Sequence, residues 1–191
     1  MEKDIRTQII DSAKELFARF GFRKTTVDEI AQSLHKGKSS IYHYFKSKEE
    51  IFKEVIKKEY DFLKQSINQA LVQQDSPKDK LQIYILTRLD VLSNLSNFYT
   101  ALRNDYFECL GLIEGIRKQY VLEEIATIKI ILQEGMDRGI FNIQHIEVTA
   151  QTIISVLKSL EYDWAMEEDK EELVENITNM LDMFFYGIMQ R

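Results

Sequence analysis

The sequence holds a single proline and only seven glycines, too little turn material for a fold of many short, tightly connected strands. Its one cysteine, Cys109 in 106-YFECL-110, has no second thiol in the chain, so no intrachain disulfide supports the fold, and a small buried hydrophobe is the expected role. No run approaches the ~18 apolar residues that cross a bilayer. The opening MEKDIRTQ is charged from its second residue, unlike a secretory leader. A cytoplasmic chain without membrane contact is expected. The three histidines, His35, His43 and His145, are not grouped with acidic residues at ligand spacing. Three places before them stand Gln32, Ser40 and Asn142, so the Glu-x-x-His pattern of carboxylate-bridged metal pairs is missing. Neither a metal nor a cofactor is expected, and no nucleophile constellation points to an enzyme.

What is present is apolar material at helical spacing. Of 191 residues, 45% are apolar and 11% aromatic, enough to bury a substantial core. In 4-DIRTQIIDSAKELFARFG-21, Ile5, Ile9, Ala13, Leu16, Phe17 and Phe20 share one stripe, and Gly21 follows where a left-handed residue ends a helix. Thr26 and Glu29 have capping-box spacing and start a short helix reaching about Leu34. Ser47 and Glu50 repeat the device before a long helix carrying Ile51, Phe52, Val55, Ile56, Leu63, Ile67 and Leu71.

Between those starts lies 36-KGKSSIYHYFKSKEE-50, whose Gly-Lys-Ser matches the close of a phosphate-binding P-loop. That loop also needs a glycine at position 32, which is Gln32, and a preceding strand, where 26-TVDEIAQSL-34 has helical spacing. A helical wheel over 38-KSSIYHYF-45 puts Ile41, Tyr44 and Phe45 on one side. Ser39, Tyr42 and His43 point away, with Lys38 at the edge.

Charge divides in the same place. Residues 1–48 carry ten Lys or Arg against six Asp or Glu, and the remainder fifteen against twenty-five. A basic head on an acidic body suits a nucleic-acid contact confined to one end.

Three helices in the first forty-five residues, the last two short, give the layout of a helix-turn-helix unit. The run 26-TVDEIAQSLHKGKSSIYHYFKSKEEIF-52 resembles the DNA-binding signature of the tetracycline-repressor (TetR) family. It departs from that signature in the turn, where family members usually have Ala-Gly-Val-Ser and this chain has 34-LHKG-37. Either His35 takes a positive φ or the turn is reshaped around Gly37. The stretch 133-QEGMDRGIF-141 resembles a second family feature, the Glu-Gly-x-x-x-Gly-x-Phe end of a long helix.

The resemblance implies an all-α protein with a helix-turn-helix DNA-binding domain over 1–48 and a helical effector-binding and dimerisation domain over 49–191. For such a unit the DNA contacts are Lys38, Ser39, Ser40, Tyr42 and His43 from the third helix, with Thr26, Tyr42 and Lys48 on the phosphate backbone. The partner is double-stranded DNA carrying a palindromic operator, met by a homodimer joined through its last two helices. Those helices, about 145–163 and 169–189, have broad apolar faces: Ile146, Ile153, Ile154, Val156, Leu157 and Leu160, then Leu173, Ile177, Met180, Leu181, Phe184 and Ile188.

A small apolar or amphipathic effector would lie among the middle helices, near Tyr84, Arg88, Phe98, Tyr99, Leu102, Arg103, Tyr106, Phe107 and Ile128. The function expected is a ligand-responsive repressor. The alternatives are an effector-independent DNA-binding protein and a helical adaptor.

Lys48→Ala is expected to weaken binding to all DNA sequences alike and to flatten its salt dependence, whereas changes at His43 or Ser39 shift the preferred sequence. Salt titrations check the first assignment; an unchanged slope refutes it.

Overall fold

The computed structural model describes residues 4–95, 97, 106–166, 175 and 179–183. Its helices are α1 (Ile5–Lys24), α2 (Val27–Ser33), α3 (Lys38–Tyr42), α4 (Lys48–Leu71), α5 (Pro77–Asn94), α6 (Tyr106–Asp137) and α7 (Ile146–Met166). Residues 179–183 are helical as well, and no strand occurs among the described residues. The fold is all-α. The chain forms two compact units, residues 1–62 with 94–118 and residues 63–93 with 119–191. The division expected after residue 48 falls at the start of α4, and α4 itself counts in the first unit as far as Phe62.

In the first unit α1 buries Ile9, Ile10, Ala13 and Phe17, then breaks at Gly21, whose φ of 82° and ψ of 163° few side chains tolerate. The break redirects the next residues. Phe22 turns inward, while Phe20, expected on the buried stripe, is 46% exposed beneath the Arg19 guanidinium. The buried Phe22 ring meets Phe17 at 5.8 Å and Phe52 at 4.8 Å, and Phe17 meets Phe52 edge-on at 5.3 Å. Such ring pairs add roughly 0.5–1.5 kcal/mol each to the area they bury. Buried Thr25 closes the corner by donating its hydroxyl to the Gly21 carbonyl at 2.8 Å.

The turn after α2 is settled by the backbone. His35 has φ 53°, whereas Gly37 has φ −77° and serves as the N-cap of α3 without a side-chain bond. The His35 and Lys36 amides donate back to the Gln32 and Ala31 carbonyls, both at 2.9 Å, which seals the end of α2.

At the start of α4 the Ser47 hydroxyl accepts from the Glu50 amide at 3.3 Å. The Glu50 carboxylate, however, accepts from the Lys46 amide at 2.6 Å rather than from Ser47, so the reciprocal half of the expected box is displaced by one residue. Beyond it Ile51, Phe52, Val55, Ile56, Tyr60, Leu63 and Ile67 are buried.

In the second unit Ser76 and Pro77 start α5, with the Lys80 amide donating to the Ser76 carbonyl at 2.8 Å. The buried face of α5 is Leu81, Tyr84, Ile85, Arg88, Leu89 and Leu92. Arg88 is 1% exposed at its side chain. It donates through Nε to Glu124 Oε1 at 2.5 Å, and the Tyr84 hydroxyl donates to the same oxygen at 3.2 Å. Burial first, and the Glu124 carboxylate second, push the Tyr84 phenol well above its usual range. The half-buried pair Lys80–Glu134, at 2.8 Å, adds a second link between α5 and α6.

The end of α6 explains the Gly-x-x-x-Gly-x-Phe pattern. Gly139 has φ 67° and turns the chain back, so that the Ile140 and Phe141 amides donate to the Gly135 carbonyl at 2.8 and 3.1 Å. The buried Phe141 ring then lies on the helix backbone at Gly135, where an added Cβ would stand 2.0 Å from a ring carbon.

In α7, Ala150, Ile153, Ile154 and Leu157 are buried, but Val156 of the expected stripe is 39% exposed. Of the last expected stripe, Leu181 is buried and Met180 half-buried, while Leu173, Ile177, Phe184 and Ile188 lie outside the described residues.

Gly135→Ala is expected to cost about 2–3 kcal/mol by forcing Phe141 off the helix, read as a lower denaturation midpoint at unchanged slope. Arg88→Met, which leaves Glu124 buried without its cation, is expected to cost roughly 3–5 kcal/mol, much of it restored when Glu124→Gln is added. Equal melting of the single and double variants would contradict that pairing.

Candidate nucleic-acid interface

α3 is five residues long, and its two sides differ sharply. Ile41 and, just beyond the helix, Phe45 are fully buried, with the Arg6 guanidinium 5.0 Å from the Phe45 ring centre. Ser39, Tyr42 and His43 are exposed, as the helical wheel predicts, and so are Lys38 at its edge and Ser40, whereas Tyr44, expected on the buried side, is only half-buried. Tyr42 is 47% exposed, large for an aromatic residue. The His43 ring stands edge-on to Tyr44 at 5.1 Å, which steadies its direction. Two turns of chain thus present hydroxyl, imidazole, phenol and ammonium groups on a rigid apolar base, the chemistry that reads base edges and holds phosphates.

Three of the expected DNA contacts, Thr26, Lys38 and Lys48, have partners inside the chain. Thr26 is the N-cap of α2. Its hydroxyl accepts from the Glu29 amide at 3.2 Å and donates to the Glu29 carboxylate at 2.9 Å, and its own amide donates to that carboxylate at 2.7 Å. The predicted capping box is complete. Lys38 donates to Asp28 Oδ2 at 2.7 Å across the turn from α3 to α2, and that bond raises its pKa above the usual lysine value. Lys48 reaches back to the end of α1, donating to the Phe22 carbonyl at 2.8 Å, with the Arg23 carbonyl at 3.4 Å and the Phe22 ring centre 4.3 Å away.

Two partners in this set escape sequence reasoning. Asp28 reads as an ordinary acidic residue of a helix first turn, favoured there by the helix dipole. The carbonyls at 22 and 23 carry no side-chain signature at all. A signal for them existed in Thr26, since a cap that starts a new helix there leaves the carbonyls of the last turn of α1 without helical donors.

The residues expected to meet an effector fare unevenly. Tyr84, Arg88 and Ile128 are buried in the second unit, the first two held by Glu124. Phe98, Tyr99, Leu102 and Arg103 lie outside the described residues, as do the side chains of Tyr106 and Phe107. The second unit also has an apolar cavity of about 130 Å³ lined by Ile85, Thr152, Ile153, Val156, Leu157, Met180 and Leu181. None of the expected effector contacts lines it. Among the described residues no group of three or more potential metal ligands occurs, and no helix is long and apolar enough to cross a membrane.

Comparison with known proteins agrees with this geometry. Residues 9–55 match the family model of bacterial regulatory proteins of the tetR family, a span running from the buried face of α1 to the first turns of α4. Over 190 residues the chain is 26% identical to the fatty acid metabolism regulator protein of Bacillus subtilis, covering 95% of this chain and 94% of that one. A transcriptional regulator from Cytophaga hutchinsonii superposes with a TM-score of 0.77 at 26% identity, over 96% of this chain and 98% of the other. The fatty acid degradation regulator FadR from Bacillus halodurans shares the fold with a TM-score of 0.72 at 22% identity, over 95% and 96% of the two chains. With a matching family model placed on the helix-turn-helix unit and relatives aligned along nearly the whole length, residues 9–55 carry the DNA-binding segment of the tetR family and the chain is a DNA-binding transcriptional regulator.

Proposed function

We propose that the chain is a cytoplasmic homodimeric repressor that reads a palindromic operator with α3 and is released from it by a small amphipathic effector. The observation that carries the DNA part is the exposed row Lys38, Ser39, Ser40, Tyr42 and His43 over buried Ile41 and Phe45. In this reading residues 1–48 form the DNA-binding domain and 49–191 the effector and dimerisation domain. Ser39, Ser40 and His43 face base edges, and Thr26, Tyr42 and Lys48 hold phosphates, with Lys38 reaching either.

Dimerisation is supported by apolar side chains left at the surface of the second unit. Val148 and Val156 on α7 are 59% and 39% exposed, and Met183 is 75% exposed. A two-fold pairing through this face and the last helix presents two recognition helices to two half-sites. Catalysis forms no part of the reading.

Effector control is supported by the apolar cavity against α5 and α7, of a size that takes a benzene-sized apolar group, and by the fatty acid regulators among the relatives. These favour an acyl-type ligand. Release follows only if the ligand binds the DNA-incompetent arrangement better than the competent one. One observation favours an effector-independent regulator instead: Tyr84, Arg88 and Ile128 are closed into the core.

Selection of bound sites from a random duplex pool is expected to return a palindrome with half-sites about one helical turn apart. Adding octanoate or decanoate to the protein on that duplex is expected to lower its affinity. Recovery of single, unpaired sites overturns the dimer, and an affinity unmoved by a broad panel of amphipathic acids and alcohols overturns effector control in favour of the effector-independent reading. Lys48→Ala belongs in the same experiment only with its melting curve, because that ammonium also holds the end of α1.

A further inference from the structure

The two carboxylates in the first turn of α2 stand beside residues assigned to DNA, and their uses differ. Glu29 is taken up by the cap, where it accepts from both the amide and the hydroxyl of Thr26. Asp28 reaches instead to α3, with Oδ2 2.7 Å from Lys38 Nζ and the two side chains 55% and 50% exposed. The cap does not need this contact, and ion pairs so open to solvent add little to a fold. Its place on the DNA-facing side suggests another use.

We propose that Asp28 is a specificity-determining residue that acts through Lys38, its carboxylate standing in for a DNA phosphate until the right sequence is met. The inference rests on reading Lys38 as a DNA contact. Lysine binding to any duplex is driven mainly by release of condensed counterions from the phosphates it neutralises. Leaving Asp28 for a phosphate breaks the pair and sets a bare carboxylate beside the DNA. On a random duplex Lys38 therefore stays with Asp28 and releases no counterion, so such DNA gains little from it.

A correct site offers more. Guanine O6 and N7 accept from a lysine in the major groove, and the neighbouring hydroxyl and imidazole groups find partners at the same time. The pair is weak enough to open for that combination. Asp28 therefore lowers background binding more than operator binding, and it is the ratio of the two that decides occupancy among many competing sites.

The test uses the full-length protein, with anisotropy titrations over a range of salt on a random-sequence duplex and on a duplex selected from a random pool. The variants are Asp28→Asn, Asp28→Ser as a second replacement should the first fold poorly, Lys38→Met, and Asp28→Asn with Lys38→Met. At about 0.1 M salt Asp28→Asn is expected to bind the random duplex roughly three- to tenfold more tightly, with a salt slope steeper by about 0.9 per bound subunit. The selected duplex gains less, so the specificity ratio falls. In the Lys38→Met background the Asp28 change is expected to be silent.

An unchanged slope and background affinity in both Asp28 variants overturns the proposal. So does a gain that persists without Lys38, which would make Asp28 a plain repulsive charge, or a loss of selected-site binding with altered base preference, which would make it a direct base contact. If Lys38→Met alone binds both duplexes as the parent does, the failure lies in the reading of Lys38, and the proposal falls with it.

Discussion

The contact of three rings, Phe17, Phe22 and Phe52, ties the end of α1 to the start of α4, and the exposed face of α3 hangs from that tie. Both short helices lie in the chain between Phe22 and Phe52, so fixing those two ends fixes the span over which α2 and α3 can fold back. Lys48 adds a second tie at the same corner, its ammonium over the Phe22 ring and bonded to the carbonyls of the last turn of α1. A five-residue helix is far below the length that holds itself together in water. α3 keeps its shape because Ile41 and Phe45 are buried and the corner on which they depend is closed.

Much of this arrangement was legible in the sequence, because capping and periodicity are local. Thr26 and Glu29 announce the start of α2, and the wheel over 38–45 places Ile41, Phe45, Tyr42 and His43 correctly but puts half-buried Tyr44 with the core. The departure from the family turn resolves in favour of His35, which takes the positive φ, while Gly37 has ordinary extended backbone. What failed was register across a break. Phe20 belongs to the stripe of an unbroken helix, but Gly21 turns the chain so that Phe22 is the residue buried. Glu50, too, bonds the Lys46 amide rather than the amide of its own cap, one residue from where the spacing places it.

The effector side was far less legible. A stripe of aromatic and aliphatic residues at helical spacing has the same form whether it fills a core or lines a cavity, and Tyr84 and Ile128 are buried like any core residue. Arg88 marks the difficulty best. In the sequence it is a polar residue suited to orienting a ligand, yet it is almost wholly buried against Glu124, a residue thirty-six places away that no local pattern links to it. A pairing of the same kind joins Asp28 and Lys38 across the turn between α2 and α3, though there both partners are open to solvent.

The unequal division of work within that turn has a consequence for how such a chain changes over time. His35 carries the strained conformation, and a β-branched residue there would pay for it heavily. Gly37 carries none: an added Cβ would meet only the Ser39 hydroxyl, at an ordinary 3.7 Å. The glycine keeps the unfolded chain looser than it needs to be and leaves α3 without a capping side chain. Position 37 is thus open to mutation in a way that its neighbour is not. A short hydroxyl or amide residue entering there would stiffen α3 without replacing any side chain of its exposed face.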